Sequence, residues 1–225
     1  MDRLARYRFA LFTLLALIPL MVLWWFAVDH LIAALRPIVA WVVDVLLPVR
    51  DLASDGKGGW IAQTSLEVTA GKWQAGALEA NFPVDAYLLR RYLVAWPFFF
   101  ALALAPPRAP RLIRMLVTGF AALVGLFVLS ATALIFVFVA VLVNHAPNPA
   151  DRVQLVPPPF YVGAPHYSDT VFFLAGLAFY IASYVLPLLA PVMLWIGLNP
   201  LPRRFLLGRG AAPPAIGAAA PPVTE

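Results

Sequence analysis

The chain contains no cysteine among its 225 residues. That excludes disulfides, thiolate nucleophiles and cysteine-held metal or iron–sulfur centres together. Charge is scarce as well, at 12% Asp, Glu, Lys and Arg. Only three histidines occur, His30, His145 and His166. The last two share a stretch with Asp151 and Asp169, but their spacing matches no compact ligand set, so solvated loop polarity accounts for them. There is no H-E-x-x-H, no G-x-S-x-G and no glycine-rich phosphate loop, and Ser65, Ser130 and Ser183 have no base near them in sequence. Catalytic, cofactor-binding and metal residues are therefore all read as none. Carrier function is disfavoured by the same scarcity, because the apolar segments hold no ionisable group away from their ends.

What the chain has in abundance is apolar surface, 63% hydrophobic residues with mean hydropathy +0.86. No soluble core of this size absorbs so much, so the chain is read as an integral membrane protein. The organising stretch is Met115 to Val143, uncharged and free of proline. It exceeds the roughly 20 residues that cross a hydrocarbon core, so it tilts or protrudes. Arg108, Arg111 and Arg114 precede it, whereas the following N-H-A-P-N-P segment is nearly neutral. Arginine beside a short loop marks the cytoplasmic side, which orients this helix from inside to outside and fixes the other segments with it. Arg3, Arg6, Arg8, Arg203, Arg204 and Arg209 then fall inside as well. The net charge of +5 is a topology signal, not the mark of a nucleic-acid partner.

In chain order, residues 1–30 form an N-terminal anchor, with a basic start and an apolar run from Phe9 to Val28 ending at Trp24 and Trp25. The run is long for a signal peptide and no small-residue cleavage site follows it. Residues 31–47 place Leu31, Ile32, Leu35, Ile38, Val39, Val42, Val43 and Leu46 at helical spacing, interrupted by Arg36 and Asp44. They read as an amphipathic helix on the outer surface or as an extension of the first helix past Pro37, with a second span as the rival. After a turn-rich linker from Asp51 to Gly59, residues 60–82 alternate polar and apolar on both sides of Ala70-Gly71-Lys72, the pattern of a small periplasmic β-hairpin. An isolated hairpin is marginal in water, so it must pack on the 31–47 segment or on a partner.

Residues 86–198 hold three further spans. The first carries Arg90 and Arg91 near its outer end, facing lipid headgroups or a carboxylate such as Asp85. Between the last two lies a periplasmic loop, 144–170, with three prolines at 157–159 favouring an extended path. Pro187 and Pro191 are expected to kink the last span. Residues 199–225 are a cytoplasmic basic segment and an Ala/Pro tail read as disordered. The fold class is thus all-α membrane protein, four transmembrane helices with a β-hairpin and amphipathic-helix insertion between the first two. Small residues at packing spacing, Ala121 with Gly125 and Ala175 with Ala178 and Ala182, serve either the bundle itself or a partner helix. Arg90, Arg91, Trp60 and Trp73 are the candidate partner or lipid contacts.

Three stretches resemble the family of exosortase H-associated membrane proteins. They are YRFALFTLLALIPLMVLWWFAVDHLIAALRPIVAWVVDVLLP, the strand-like LEVTAGKWQAGALEANFPVDAY, and LRRYLVAWPFFFALALAPP. The resemblance implies an accessory found in the bacterial cytoplasmic (inner) membrane beside an exosortase, a transpeptidase-like enzyme that processes proteins bearing a C-terminal sorting helix. A chain without cysteine cannot be that enzyme, which is believed to use Cys, Arg and His. The expectation is a non-enzymatic accessory of a protein-sorting or envelope-assembly system, bound to an exosortase or its sorted substrate, with both termini cytoplasmic. The alternative is a structural subunit of a polysaccharide-export or transport complex, whose Arg90 and Arg91 meet anionic lipid or lipid-linked sugar.

Overall fold

The computed structural model describes residues 3–69, 78–106, 111–144, 152–155, 160–162 and 167–199. Four helical segments are long and apolar enough to cross a membrane: Tyr7–Leu46, Ala86–Leu104, Leu112–Ala140 and Asp169–Leu198. The expected four spans are present.

Helix α1 runs without a break over Arg3–Leu46, 44 residues, through Pro19 and Pro37. The anchor does not end near residue 30, and the 31–47 segment is its extension, neither a separate surface helix nor a second span. The sequence explains this. No glycine interrupts Val28 to Leu46, and Leu31, Ala33, Ala34 and Leu35 are strong helix formers. In apolar surroundings the hydrogen bond lost at a proline does not end a helix. Val28, Ile32, Leu35, Val39 and Val43 form one buried stripe along it, while Ile38, Trp41 and Val45 face outward.

The region after α1 departs from the expected hairpin. Strand β1 (Val49–Ser54) occupies much of the predicted linker and pairs antiparallel with β2 (Trp60–Thr69), which pairs on its other side with β3 (Leu78–Val84). β1 escapes a period-two search because its register shifts between Val49 and Asp51, leaving the buried Val49 and Leu52 three residues apart. The turn between β1 and β2 is closed by Asp55, whose Oδ1 accepts from the backbone N–H of Lys57 (2.7 Å) and Gly59 (2.8 Å). Two further strands come from the distant loop. β4 (Arg152–Leu155) pairs with residues 66–69 of β2, and β5 (Phe160–Val162) pairs with β4. Five strands in the order β1-β2-β4-β5, with β3 on β2, thus unite both long connections in one sheet. Residues 70–77 and 156–159 lie outside the described residues, and with them the predicted Ala70-Gly71-Lys72 turn and the proline run.

The remaining helices are α2 (Ala86–Leu93), α3 (Ala95–Leu104), α4 (Leu112–Asn144), α5 (Asp169–Tyr180) and α6 (Leu186–Leu198). α2 and α3 join at Val94, where Pro97 cannot supply the next hydrogen bond and its ring crowds the preceding turn. α5 and α6 are one span joined by a π-helical turn, Ile181–Val185. The chain meets Pro187 by widening that turn instead of by a simple kink.

Helix lengths decide where the sheet sits. At about 1.5 Å per residue, α2 and α3 together reach roughly 28 Å, whereas α4 reaches roughly 50 Å and α1 roughly 66 Å. α3 runs antiparallel to α4, with Trp96 edge-on to Phe120 at 4.9 Å. Phe9 stacks on Trp195 at 5.2 Å, so α1 begins where α6 ends. The longer helices overshoot α2 at the opposite end, and the sheet fills the space above it. Trp60, Ala62, Thr64 and Val84 point into the core, while Ile61 and Gln63 are only partly buried and Asn81 and Pro83 are exposed. Trp60 meets the Phe127 ring edge-on at 6.2 Å, Phe82 stacks on Phe138 at 5.4 Å, and β1 packs on the last turns of α1.

Candidate functional site

The polar groups of the bundle collect where α2 begins beneath the sheet. Asp85 ends β3 in extended geometry and caps α2, its Oδ1 accepting from the Tyr87 N–H at 2.7 Å. One and a half turns later stand Arg90 and Arg91, on adjacent faces because successive helical residues diverge by about 100°. They have different partners.

Arg90 turns to α1. Its Nε donates to Asp29 Oδ1 at 2.8 Å and its Nη2 to Asp29 Oδ2 at 2.9 Å, a forked pair between residues 61 apart in sequence. The side chains remain 36% and 48% exposed. The β1–β2 turn lies over this pair: a Cβ added to Gly58, whose φ is +90°, would stand 3.2 Å from Asp29 Oδ1 and 3.3 Å from Arg90 Nη2. Glycine is demanded there by both conformation and space. Gly59 next to it approaches the junction of β3 and α2, where a Cβ would lie 2.6 Å from Val84 O. The pair therefore ties α1, α2 and the sheet at one point. The carboxylate expected for this arginine, Asp85, serves as helix cap instead.

Arg91 turns to the last span. Its guanidinium carbon lies 4.1 Å from the centre of the Tyr184 ring, a cation–π contact with the π-helical turn. Tyr184 itself stacks on Tyr180 at 4.6 Å. The next residue, Tyr92, points inward and shares a hydrogen bond with Ser183, 3.0 Å between oxygens, both groups buried. Beside them lies a cavity of about 10 Å³ lined by Tyr92, Phe127, Ser130, Ala182, Pro187 and Ala190, room for one water and no organic substrate.

Of the four residues singled out from sequence, the structure brings Arg90 and Arg91 to this layer. Trp60 is no contact residue: at 1% exposure it is the plug that seats the sheet on α4. Its place at the start of an alternating strand marks it for the inward face. Trp73 lies outside the described residues, as do His145, Asp151 and His166. Among the described residues no three His, Asp or Glu side chains converge as metal ligands. Sequence reasoning missed Asp29, Tyr184 and Ser183. Asp29 reads as the polar end of an anchor only while α1 is taken to stop there, and Ser183 and Tyr184 acquire their facing through the π turn.

The small residues divide between two uses. Gly119, absent from the sequence pairs, receives the Phe99 ring, which a Cβ would overlap. Ala175 and Ala182 are buried in the bundle. Ala121 and Gly125 are exposed on α4, and nothing lies within 4 Å of a Cβ added at Gly125.

These features define an integral membrane protein of four spans, braced at one end by a sheet drawn from two connections. The chain belongs to the exosortase H-associated membrane protein family, whose model matches residues 3–201. Neither a curated protein nor a solved structure matches it.

Proposed function

We propose that the chain is a non-enzymatic accessory subunit of an exosortase-type protein-sorting or envelope-assembly system. It sits in the bacterial inner membrane with both termini cytoplasmic and the sheet periplasmic, and it holds the membrane enzyme or the enzyme's sorted substrate. The arginines flanking α4 on one side only support that orientation. Family membership supplies the association with the enzyme.

The observation that carries the reading is the open small-residue stripe of α4. Without water to expel, helices in a bilayer associate where small side chains let backbones approach. The chain fills its own close approach with Gly119 and Phe99, and leaves Ala121 and Gly125 facing outward. A partner span fits there. The rival assignment to a polysaccharide complex drew on both arginines, and Arg90 is already engaged by Asp29.

Purification from native membranes tests the proposal. Wild-type chain should enrich an exosortase or its sorted substrate, and Gly125→Leu should lose that enrichment while keeping its unfolding midpoint. Recovery of wild type with neither protein enriched, or undiminished enrichment by Gly125→Leu, counts against it.

A further inference from the structure

The two arginines of α2 differ in one respect that the fold does not require. Arg90 has its carboxylate. The Arg91 guanidinium has only the face of an aromatic ring, and makes no side-chain hydrogen bond or ion pair with any described residue. A guanidinium stacked on a ring keeps its N–H edge free, and that edge matches the oxygens of a phosphate two at a time. Two acids of this layer are committed elsewhere, Asp29 to Arg90 and Asp85 to the α2 cap.

The surroundings are those of a bilayer interface. Tyr87 lies one turn before Arg91 on the same face of α2 and is 66% exposed. Tyr180 and Tyr184 stand on the neighbouring span, 60% and 43% exposed. Tyrosines with wet hydroxyls and apolar rings gather at headgroup depth. From this rim both helices run in the same direction toward the opposite end of the bundle. The exposed side chains along that path are apolar: Phe98, two turns beyond Arg91, with Leu188 and Val192 beyond Tyr184. A cation at the top of an apolar track complements a molecule with a phosphate head and a hydrocarbon tail.

We propose that Arg91, with Tyr87 and Tyr184, binds the phosphodiester of a glycerophospholipid in the sheet-side leaflet, one acyl chain lying along Phe98, Leu188 and Val192. The guanidinium donates to the phosphate oxygens and the tyrosine ring fixes its plane. An arginine on a membrane-spanning helix thereby gains the counter-charge that no described residue gives it.

The test uses the full chain in a neutral detergent, stripped of lipid, with bound lipid counted by native mass spectrometry. Dioleoyl-phosphatidylglycerol should be retained at one site, and dioleoylglycerol, which lacks the phosphate, should not. Arg91→Ala should weaken phosphatidylglycerol binding roughly tenfold or more, as loss of a charged bidentate donor implies. Arg91→Lys should fall between the two, and Tyr184→Leu should weaken binding while leaving the arginine in place. Unfolding midpoints identify any variant that fails to fold, in which case Arg91→Lys and Tyr184→Leu carry the comparison. Equal affinity of wild type and these variants, or equal retention of dioleoylglycerol, overturns the proposal. So does inorganic phosphate displacing the lipid at matching concentration, which would make this a soluble-anion site. No partner protein enters the readout, so its outcome is independent of the accessory role.

Discussion

Asp29 and Arg90 make one forked pair that joins α1 to α2 under the sheet. With both side chains more than a third exposed, screening keeps its worth small. A double-mutant cycle of Asp29→Ala and Arg90→Ala should give a coupling of about 0.5–1 kcal/mol in unfolding free energy. A coupling indistinguishable from zero would reduce the pair to a bystander. Gly119 should be less forgiving. A methyl there overlaps the Phe99 ring, and overpacking of about 1–3 kcal/mol outweighs the gain of up to about 1 kcal/mol from replacing glycine inside a helix. Gly119→Ala should lower the unfolding midpoint and Gly125→Ala, with open space around it, should not. Trp60 fills the joint between β2 and Phe127. Trp60→Ala should cost about 3–5 kcal/mol and expose residues 49–69 to protease while the spans stay inserted.

The elements differ in how openly the sequence announces them. Four spans follow from apolar length, a property that no tertiary detail can erase, and β2 and β3 follow from their alternating pattern. Arg36 and Asp44 interrupt the apolar run after residue 30, so the sequence leaves open a surface helix, an extension past Pro37 or a second span; the helix runs on to Leu46, and its length exceeds any one span. β1 is hidden by its bulge. β4 and β5 are too short to carry a periodic signal, and the pairing of β4 with β2 joins positions more than 80 residues apart, which no local pattern records. The site was half apparent: two adjacent arginines stand out on a translocated segment, but which one is satisfied depends on where Asp29 and Tyr184 lie in space. The sheet itself offers a clean check. Val68 and Val153 are opposed antiparallel positions, and the chain has no native cysteine to interfere. Val68→Cys with Val153→Cys should form a cross-link under mild oxidation, visible as a mobility shift reversed by reductant, and Val68→Cys with a cysteine at Thr170 should not.

At the scale of the molecule, one end gathers the start of α1, the end of α6, the end of α3 and the start of α4, and the other carries the sheet. Single cysteines at Lys57 and Asn81 should therefore react with a membrane-impermeant maleimide applied from the periplasm, and one at Arg111 only after the membrane is opened. Reaction of Lys57→Cys from the cytoplasmic side alone would invert the proposed orientation. The sheet also constrains the order of events during synthesis. A ribosome delivers residues 60–69 long before 152–155, so the second half of β2 leaves the translocon with one edge bare. That edge can be closed only after α4 has threaded the bilayer and brought its far end out on the same side. On the proposed orientation, completion of the sheet therefore depends on that insertion, and a chain whose third span stalls or reverses leaves this edge of β2 unpaired.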